Sequence, residues 1–275
     1  MVAKAAIIAS ILALTVGCRE EPSAGNEIVW QTYVDDGDKA YDAARYAEAE
    51  KLYKLAVVEA EKFGPPDLRL ATSLNKLAKA YRAQHKYDRT EPLYKRSLAI
   101  SEKALGQDHP DVRLSLNKLA GVYRVLGKDD QAEPLYKRVL AISENTLGPE
   151  HPDVATSLNK LAAVYCTQGK YDQAEPVSKR ALAILEKSLG PEHPRVATRL
   201  NGLATLYFRQ GKYDQAEPLY KRSFAIREEA LDPEHPDMAS SLEYYGAFLQ
   251  ATGRGDEGRA MLDRAAVIRE KNEKR

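Results

Sequence analysis

Apolar residues recur along most of this chain at helical spacing. Leu158, Leu161, Ala162 and Tyr165 fall at i, i+3, i+4 and i+7, which is one face of a helix. Gln168, Gly169 and Lys170 interrupt the pattern, as a short turn between antiparallel helices does. A second stripe follows, carried by Ala174, Val177, Ala181, Ile184 and Leu189, and Gly190 with Pro191 closes it. Asp172 and Glu175 stand at the spacing of a capping box ahead of this stripe. Pro176 is expected in the first turn or just past it, where a missing N–H costs little. The two stripes together predict a helix–turn–helix hairpin.

The hairpin recurs. His109-Pro110, His151-Pro152, His193-Pro194 and His235-Pro236 are 42 residues apart, and so are Leu74-Asn75, Leu116-Asn117, Leu158-Asn159 and Leu200-Asn201. An earlier copy lacks the His-Pro pair but keeps the run Tyr46 to Tyr53 in near register, and a last copy keeps the spacing with a worn pattern. Six units result, at about 28–64, 65–106, 107–148, 149–190, 191–232 and 233–272. A lone hairpin leaves one apolar face uncovered, and stacking copies buries those faces in turn. The pattern predicts an all-α solenoid of about twelve helices with no sheet.

The run Leu158, Leu161, Ala162, Tyr165, Ala174, Ala181 resembles the signature of tetratricopeptide repeats. The connector Leu189 to Pro194 in a 42-residue unit resembles the subclass found in kinesin light chains and in many bacterial proteins. The resemblance covers residues 28–272 and implies a right-handed superhelical solenoid of about six repeats. It also implies a concave groove, lined by the first helix of each unit, where partner polypeptides lie. Gly255 stands where the hairpin Tyr is usual and Gly258 where Ala is usual, which reads as erosion of a terminal unit facing solvent.

Carried over by position, the groove holds Asn75, Asn117, Asn159 and Asn201. An Asn amide donates and accepts, so a ladder of them could hold an extended backbone; the alternative is that they bond to neighbouring helices and stabilise the stack. The ladder stops at Glu243 in the last unit. Kinesin light chains often place a second Asn next; here Lys76, Lys118, Lys160 and Gly202 stand there, so no cargo motif transfers. Lys79, Arg82, Arg124 and Arg209, with Phe208 as an apolar neighbour, are also expected in the groove. They suit a ligand with acidic groups, which Arg grips bidentately, or else form a solvated face. The Lys-Arg pairs from Lys95-Arg96 to Lys221-Arg222 are expected on the outer surface.

The first residues read as an address. Met1 to Lys4 carry one positive charge, and Ala5 to Val16 form an apolar run of twelve. That run is shorter than the ~20 residues needed to span a bilayer and matches a signal peptide. Thr15-Val16-Gly17-Cys18 resembles the lipobox of bacterial lipoproteins, in which the chain is cut before Cys and the Cys carries lipid. Thr15 departs from the usual aliphatic residue, and an uncleaved anchor or an ordinary secretion signal is the alternative. This organisation gives a signal peptide at 1–17, a short linker at 18–27 and the array at 28–272. Arg19 after the Cys resembles outer-membrane sorting, so the expected location is the periplasmic face of a bacterial outer membrane. With Cys18 lipidated, Cys166 is the one remaining thiol and is expected to be structural.

Charge excludes some functions. Lys plus Arg number 41 against 40 Asp plus Glu, which leaves no broad basic footprint for nucleic acid. The four connector histidines are strung along successive units roughly 10 Å apart and cannot converge on a metal. Gly121 to Lys128 has the wrong spacing and context for a phosphate loop. The recurring Glu91, Glu133, Glu175 and Glu217 are assigned to helix capping. No catalytic constellation, metal site or cofactor site is expected. The expected function is binding of proteins or peptides, with acidic segments as candidate ligands. A structural subunit docking through its ends or convex face, or an accessory subunit of an enzyme, is the alternative.

Overall fold

A computed structural model describes residues 24–273. The signal peptide expected at 1–17, Cys18 and the first part of the linker lie outside the described residues. The described residues form twelve α-helices and no strand. They are α1 (Ala24–Asp42), α2 (Tyr46–Glu61), α3 (Leu68–Ala83), α4 (Tyr87–Leu105), α5 (Pro110–Val125) and α6 (Asp129–Leu147). The series continues with α7 (Pro152–Thr167), α8 (Tyr171–Leu189), α9 (Pro194–Arg209), α10 (Tyr213–Ala230), α11 (Pro236–Ala251) and α12 (Gly255–Glu273). Odd helices open a repeat and even helices close it. The chain divides into two compact units, one ending at Gln107 and one beginning at Asp108.

In the first unit, α1 to α4 pack each on its chain neighbour. Trp30 is buried with Val34, Ala56, Ala60, Leu70 and Leu74, and its indole N–H donates to Ser73 Oγ at 2.8 Å. Tyr53 fills a second cluster between α1, α2 and α3, and its hydroxyl donates to Asp38 at 2.6 Å. Burying an aliphatic or aromatic side chain of this kind contributes about 1.5–3 kcal/mol, and the hydrogen bonds satisfy the polar tips that go with it.

In the second unit, helices α5 to α12 also pack in chain order, and α9 reaches α11 directly. One core joins Val154, Leu158, Ala181, Ile184, Val196, Leu200 and Ile226, so the stripes of neighbouring hairpins cover each other. The last hairpin is closed by Met238, Leu242, Ala265 and Ile268. Gly258 is buried there, and a Cβ on it would lie 2.6 Å from the carbonyl oxygen of Gly246. The expectation of terminal wear is therefore corrected: Gly258 is where α11 and α12 cross too closely for any side chain.

Helix starts follow two rules. Each His-Pro connector caps an odd helix: Nδ1 of His109, His151, His193 and His235 accepts the backbone N–H two residues on, at 3.1–3.2 Å. The even helices begin after Lys86, Lys128, Lys170 and Lys212 with no side-chain cap. The expected capping box at Asp172 and Glu175 is thus not formed. Glu175 instead accepts from Lys179 at 2.7 Å and from Lys212 of the next hairpin at 3.2 Å. Glu133 likewise takes Lys137 and Lys170, Glu217 takes Lys221 and Arg254, and Glu50 takes Lys54 and Lys86. These carboxylates tie successive repeats together. Pro176 lies just past the first turn of α8, on an exposed face where water can reach the carbonyl it leaves without a donor.

Candidate functional site

In the first unit, α3 carries Asn75, Lys79 and Arg82. Asn75 is half-buried, and its Oδ1 is buried without a hydrogen-bond partner. Lys79 is exposed, with its ammonium 3.8 Å from the centre of the Tyr41 ring, a cation–π contact across α1 and α3. Arg82 is exposed. Lys76, next to Asn75, donates to Asp38 at 2.7 Å. Burial raises the Asp38 carboxyl, but hydrogen bonds from Lys76 and Tyr53 outweigh it and hold the group below its ordinary value.

In the second unit the recurring positions converge. Arg124 on α5, Asn159 on α7, and Asn201 and Arg209 on α9 line one cavity of about 390 Å³. Helical spacing explains this, because Asn201, Thr205 and Arg209 follow at i, i+4 and i+8 on a single face. Ala162, Ala163 and Gly202 give the cavity a small-residue floor. Asn117 and Phe208 lie elsewhere. The amide oxygen of Asn117 accepts from Lys160 at 3.0 Å, a bond between successive repeats. Phe208 packs against Tyr213 and Phe248, with ring centres 5.7 and 5.9 Å away, as part of an aromatic cluster near the hairpin turns. The four Asn therefore differ in use: Asn117 and Asn201 bond to the next repeat, Asn201 through Ser241 Oγ at 3.4 Å, and Asn159 and Asn201 line the cavity.

The cavity also holds Arg199, Arg227 and Tyr244, which position in the repeat alone did not single out. Arg227 is only 4% exposed. Its guanidinium donates to the Asp237 carbonyl at 2.9 Å, to Ser241 Oγ at 2.8 Å and to Thr198 Oγ1 at 2.9 Å, all neutral oxygens. Burial pulls the Arg199 and Arg227 guanidiniums below their ordinary values, which is the mark of cations removed from water. No Asp or Glu lines the cavity among the described residues. Cys166 also lines it, half-buried, and burial pushes its thiol up against the opposing pull of Arg209 and Arg124. A thiol held protonated in this way is a poor nucleophile. The wall is thus cationic, with amide and hydroxyl groups between the charges and a floor that admits a backbone.

Profiles of the tetratricopeptide repeat match residues 37–103, 69–145, 111–187 and 153–229, and a second such profile matches 201–273. Among curated proteins, no sequence matches the chain. Solved structures do. The nearly identical TPR-like repeats of a Podosopora anserina protein named as a kinesin light chain are 30% identical, with a TM-score of 0.63 over 76% of this chain and 98% of that one. BtubC (BKLC) from P. vanneervenii is 25% identical, with a TM-score of 0.63 over 89% of this chain and 92% of that one. The apo form of RapI, 15% identical, shares the fold with a TM-score of 0.66 over 90% and 99%. With repeat profiles covering residues 37–273 and twelve helices paired as hairpins, this chain belongs to the tetratricopeptide-repeat family, in a form similar to kinesin light chains.

Proposed function

We propose that this protein is a non-catalytic, membrane-tethered scaffold that holds acidic polypeptide segments in the groove formed by α5, α7, α9 and α11. Tetratricopeptide repeats typically mediate protein–protein interaction, which supplies the class of partner. The observation that carries the reading is the cavity lined by Arg124, Arg199, Arg209 and Arg227 with no carboxylate among its lining residues. A chain with 41 basic and 40 acidic residues has gathered one sign of charge in one concavity, and such a concavity concentrates anions of opposite charge. Guanidinium groups pair with carboxylates through two parallel hydrogen bonds, so specificity accompanies attraction. The tether is Cys18 at the end of the apolar run Ala5 to Val16. The five residues from Arg19 to Ser23, between Cys18 and the start of α1, reach at most ~18 Å when extended, so the groove works close to the periplasmic face of its membrane.

The test is affinity capture from solubilised membranes with full-length protein, read by mass spectrometry. Arg124→Ala with Arg209→Ala, and separately Asn159→Ala, should release partners that the wild type retains. Retention of the same partners by all three proteins would move binding away from the groove. Intact-mass analysis of the N-terminus should find an acylated Cys18; an unmodified mature chain with no lipid would remove the tether. A second reading, docking through the end of the array, draws support from Ile28, Val29, Leu55 and Val58. These residues are 41–68% exposed on α1 and α2, and partners lost only on their replacement by Ser would favour it.

A further inference from the structure

One repeat departs from the others at the positions that face the cavity. The residue 42 places from Arg199 in either direction is Ser: Ser73, Ser115, Ser157 and Ser241 occupy the equivalent site on their helices. Arg227 stands where α4 and α6 carry Ser101 and Ser143 and α8 carries Leu185; α12 also carries an arginine there, Arg269, but that one is exposed and paired with Glu243. Between α6 and α7 the two small side chains meet, with Ser143 Oγ 3.2 Å from Ser157 Oγ. At the equivalent positions of the next two hairpins, one of the two residues is an arginine: Arg199 on α9 and Arg227 on α10. The next position departs as well: Lys76, Lys118 and Lys160 give way to Gly202. Two arginines have been added and one long side chain removed, all within one wall of one cavity.

Neither arginine is paired with a carboxylate within the fold. Arg199 makes no hydrogen bond or ion pair among the described residues, and its Nε is buried without a partner. Arg227 meets only neutral oxygens, and its Nε is likewise buried without a partner. Asn201, beside them, keeps a buried Oδ1 with no donor. A cation drawn out of water with no anion beside it is costly to keep for structure alone. The unfilled donors match a carboxylate, and the unfilled acceptor matches a peptide N–H; an acidic residue in an extended peptide offers both.

We propose that Arg199 and Arg227 form a dedicated subsite for the carboxylate side chain of one acidic residue in the bound segment, in the space that Gly202 leaves open. This rests on the groove reading above and gives it an address: a single repeat selects the acidic residue, while the rest of the groove holds the segment more generally.

The experiment is fluorescence anisotropy of fluorescein-labelled hexaglutamate with the full-length chain in detergent, against hexaglutamine as the neutral probe. Wild type should bind hexaglutamate saturably and hexaglutamine far more weakly. Arg199→Ser and Arg227→Ser install residues found at equivalent positions of this chain, and each should weaken hexaglutamate binding about tenfold or more, the worth of a charged hydrogen bond. Arg259→Ser, on the exposed side of α12, removes the same charge and should leave binding unchanged. Where folding of a variant is in doubt, Arg199→Lys keeps the charge without the fork and should fall between wild type and Arg199→Ser. No saturable binding by wild type, or equal binding by the Arg199→Ser and Arg227→Ser proteins, overturns the subsite. If binding in the second case still drops with Arg124→Ser and Arg209→Ser, the groove reading stands without the subsite; if it does not, both fall.

Discussion

Glu133 on α6 accepts a hydrogen bond from Lys170, in the hairpin of the following repeat, at 2.7 Å, while Lys137 on its own helix holds the same carboxylate at 2.7 Å. Hydrogen bonds from Lys137 and Lys170 lower the Glu133 carboxyl from the usual 4.5 to about 2. Glu175 and Glu217 are also held below the ordinary range, by Lys179 and Lys221 first and by the cation of the next hairpin second. The folded chain binds these protons less tightly than the unfolded one, so the stabilisation is present above the ordinary Glu range. It is lost as pH falls from about 4.5 toward 2. Lys137 and Lys170 are 53% and 39% exposed, and pairs of this kind contribute about 0.2–1 kcal/mol each. Glu133→Gln should therefore melt about 2–4 °C below wild type at pH 7, and the gap should narrow as pH falls below about 4.5 and be mostly gone near pH 2. A gap that persists unchanged near pH 2 would assign the loss to something other than charge.

Gly258→Ala should destabilise the last hairpin by about 1–3 kcal/mol, because its Cβ would sit 2.6 Å from the Gly246 carbonyl oxygen and 2.9 Å from the Gln250 backbone nitrogen. Urea unfolding of the variant should show a lower midpoint. On propensity alone, Gly→Ala within a helix would stabilise by roughly 1 kcal/mol, so the sign of the effect decides between close packing and a worn terminus.

His151→Ala should cost about 1 kcal/mol by removing the acceptor for the Asp153 N–H, and His151→Asp should restore most of it. Hydrogen exchange at the start of α7 is the local readout, with faster exchange at Asp153 in the Ala variant only. Equal loss in both variants would mean that the imidazole acts by packing.

Arg227→Leu loses three hydrogen bonds to neutral oxygens but also relieves a buried cation that has no carboxylate partner, so thermal stability should change little. The same variant should bind hexaglutamate about tenfold more weakly. Binding lost with little change in stability is the signature of a charge kept for its ligand.

Helix count and the core stripe were legible in the sequence because each rests on a local period that packing merely completes. The convergence of Arg124, Asn159, Asn201 and Arg209 was legible too, since equivalent positions of stacked hairpins must share a wall. Three things were not. The role of Glu175 depends on Lys212, which lies 37 residues away and comes near only when the next hairpin stacks. Phe208 reads as a groove residue until Phe248, from the following repeat, supplies an aromatic partner. Arg199 and Gly202 were visible as departures from the 42-residue period, but attention to what recurs hides what is unique, and only the cavity showed that they share a space with Arg227.

The Glu–Lys ties also bear on how such a chain can change its length. In three of them the acceptor and donor are separated by 37 residues, less than one module: Glu133 with Lys170, Glu175 with Lys212, and Glu217 with Arg254. The fourth and fifth modules thus each present a donor to the one before and an acceptor to the one after. A tandem duplication of one module brings both halves of a seam with it and needs no new chemistry at either junction. An insertion or deletion that is not a whole module leaves an acceptor facing no donor. Growth by copying, followed by divergence of a single copy at the positions of Arg199, Gly202 and Arg227, is the path that this seam leaves open.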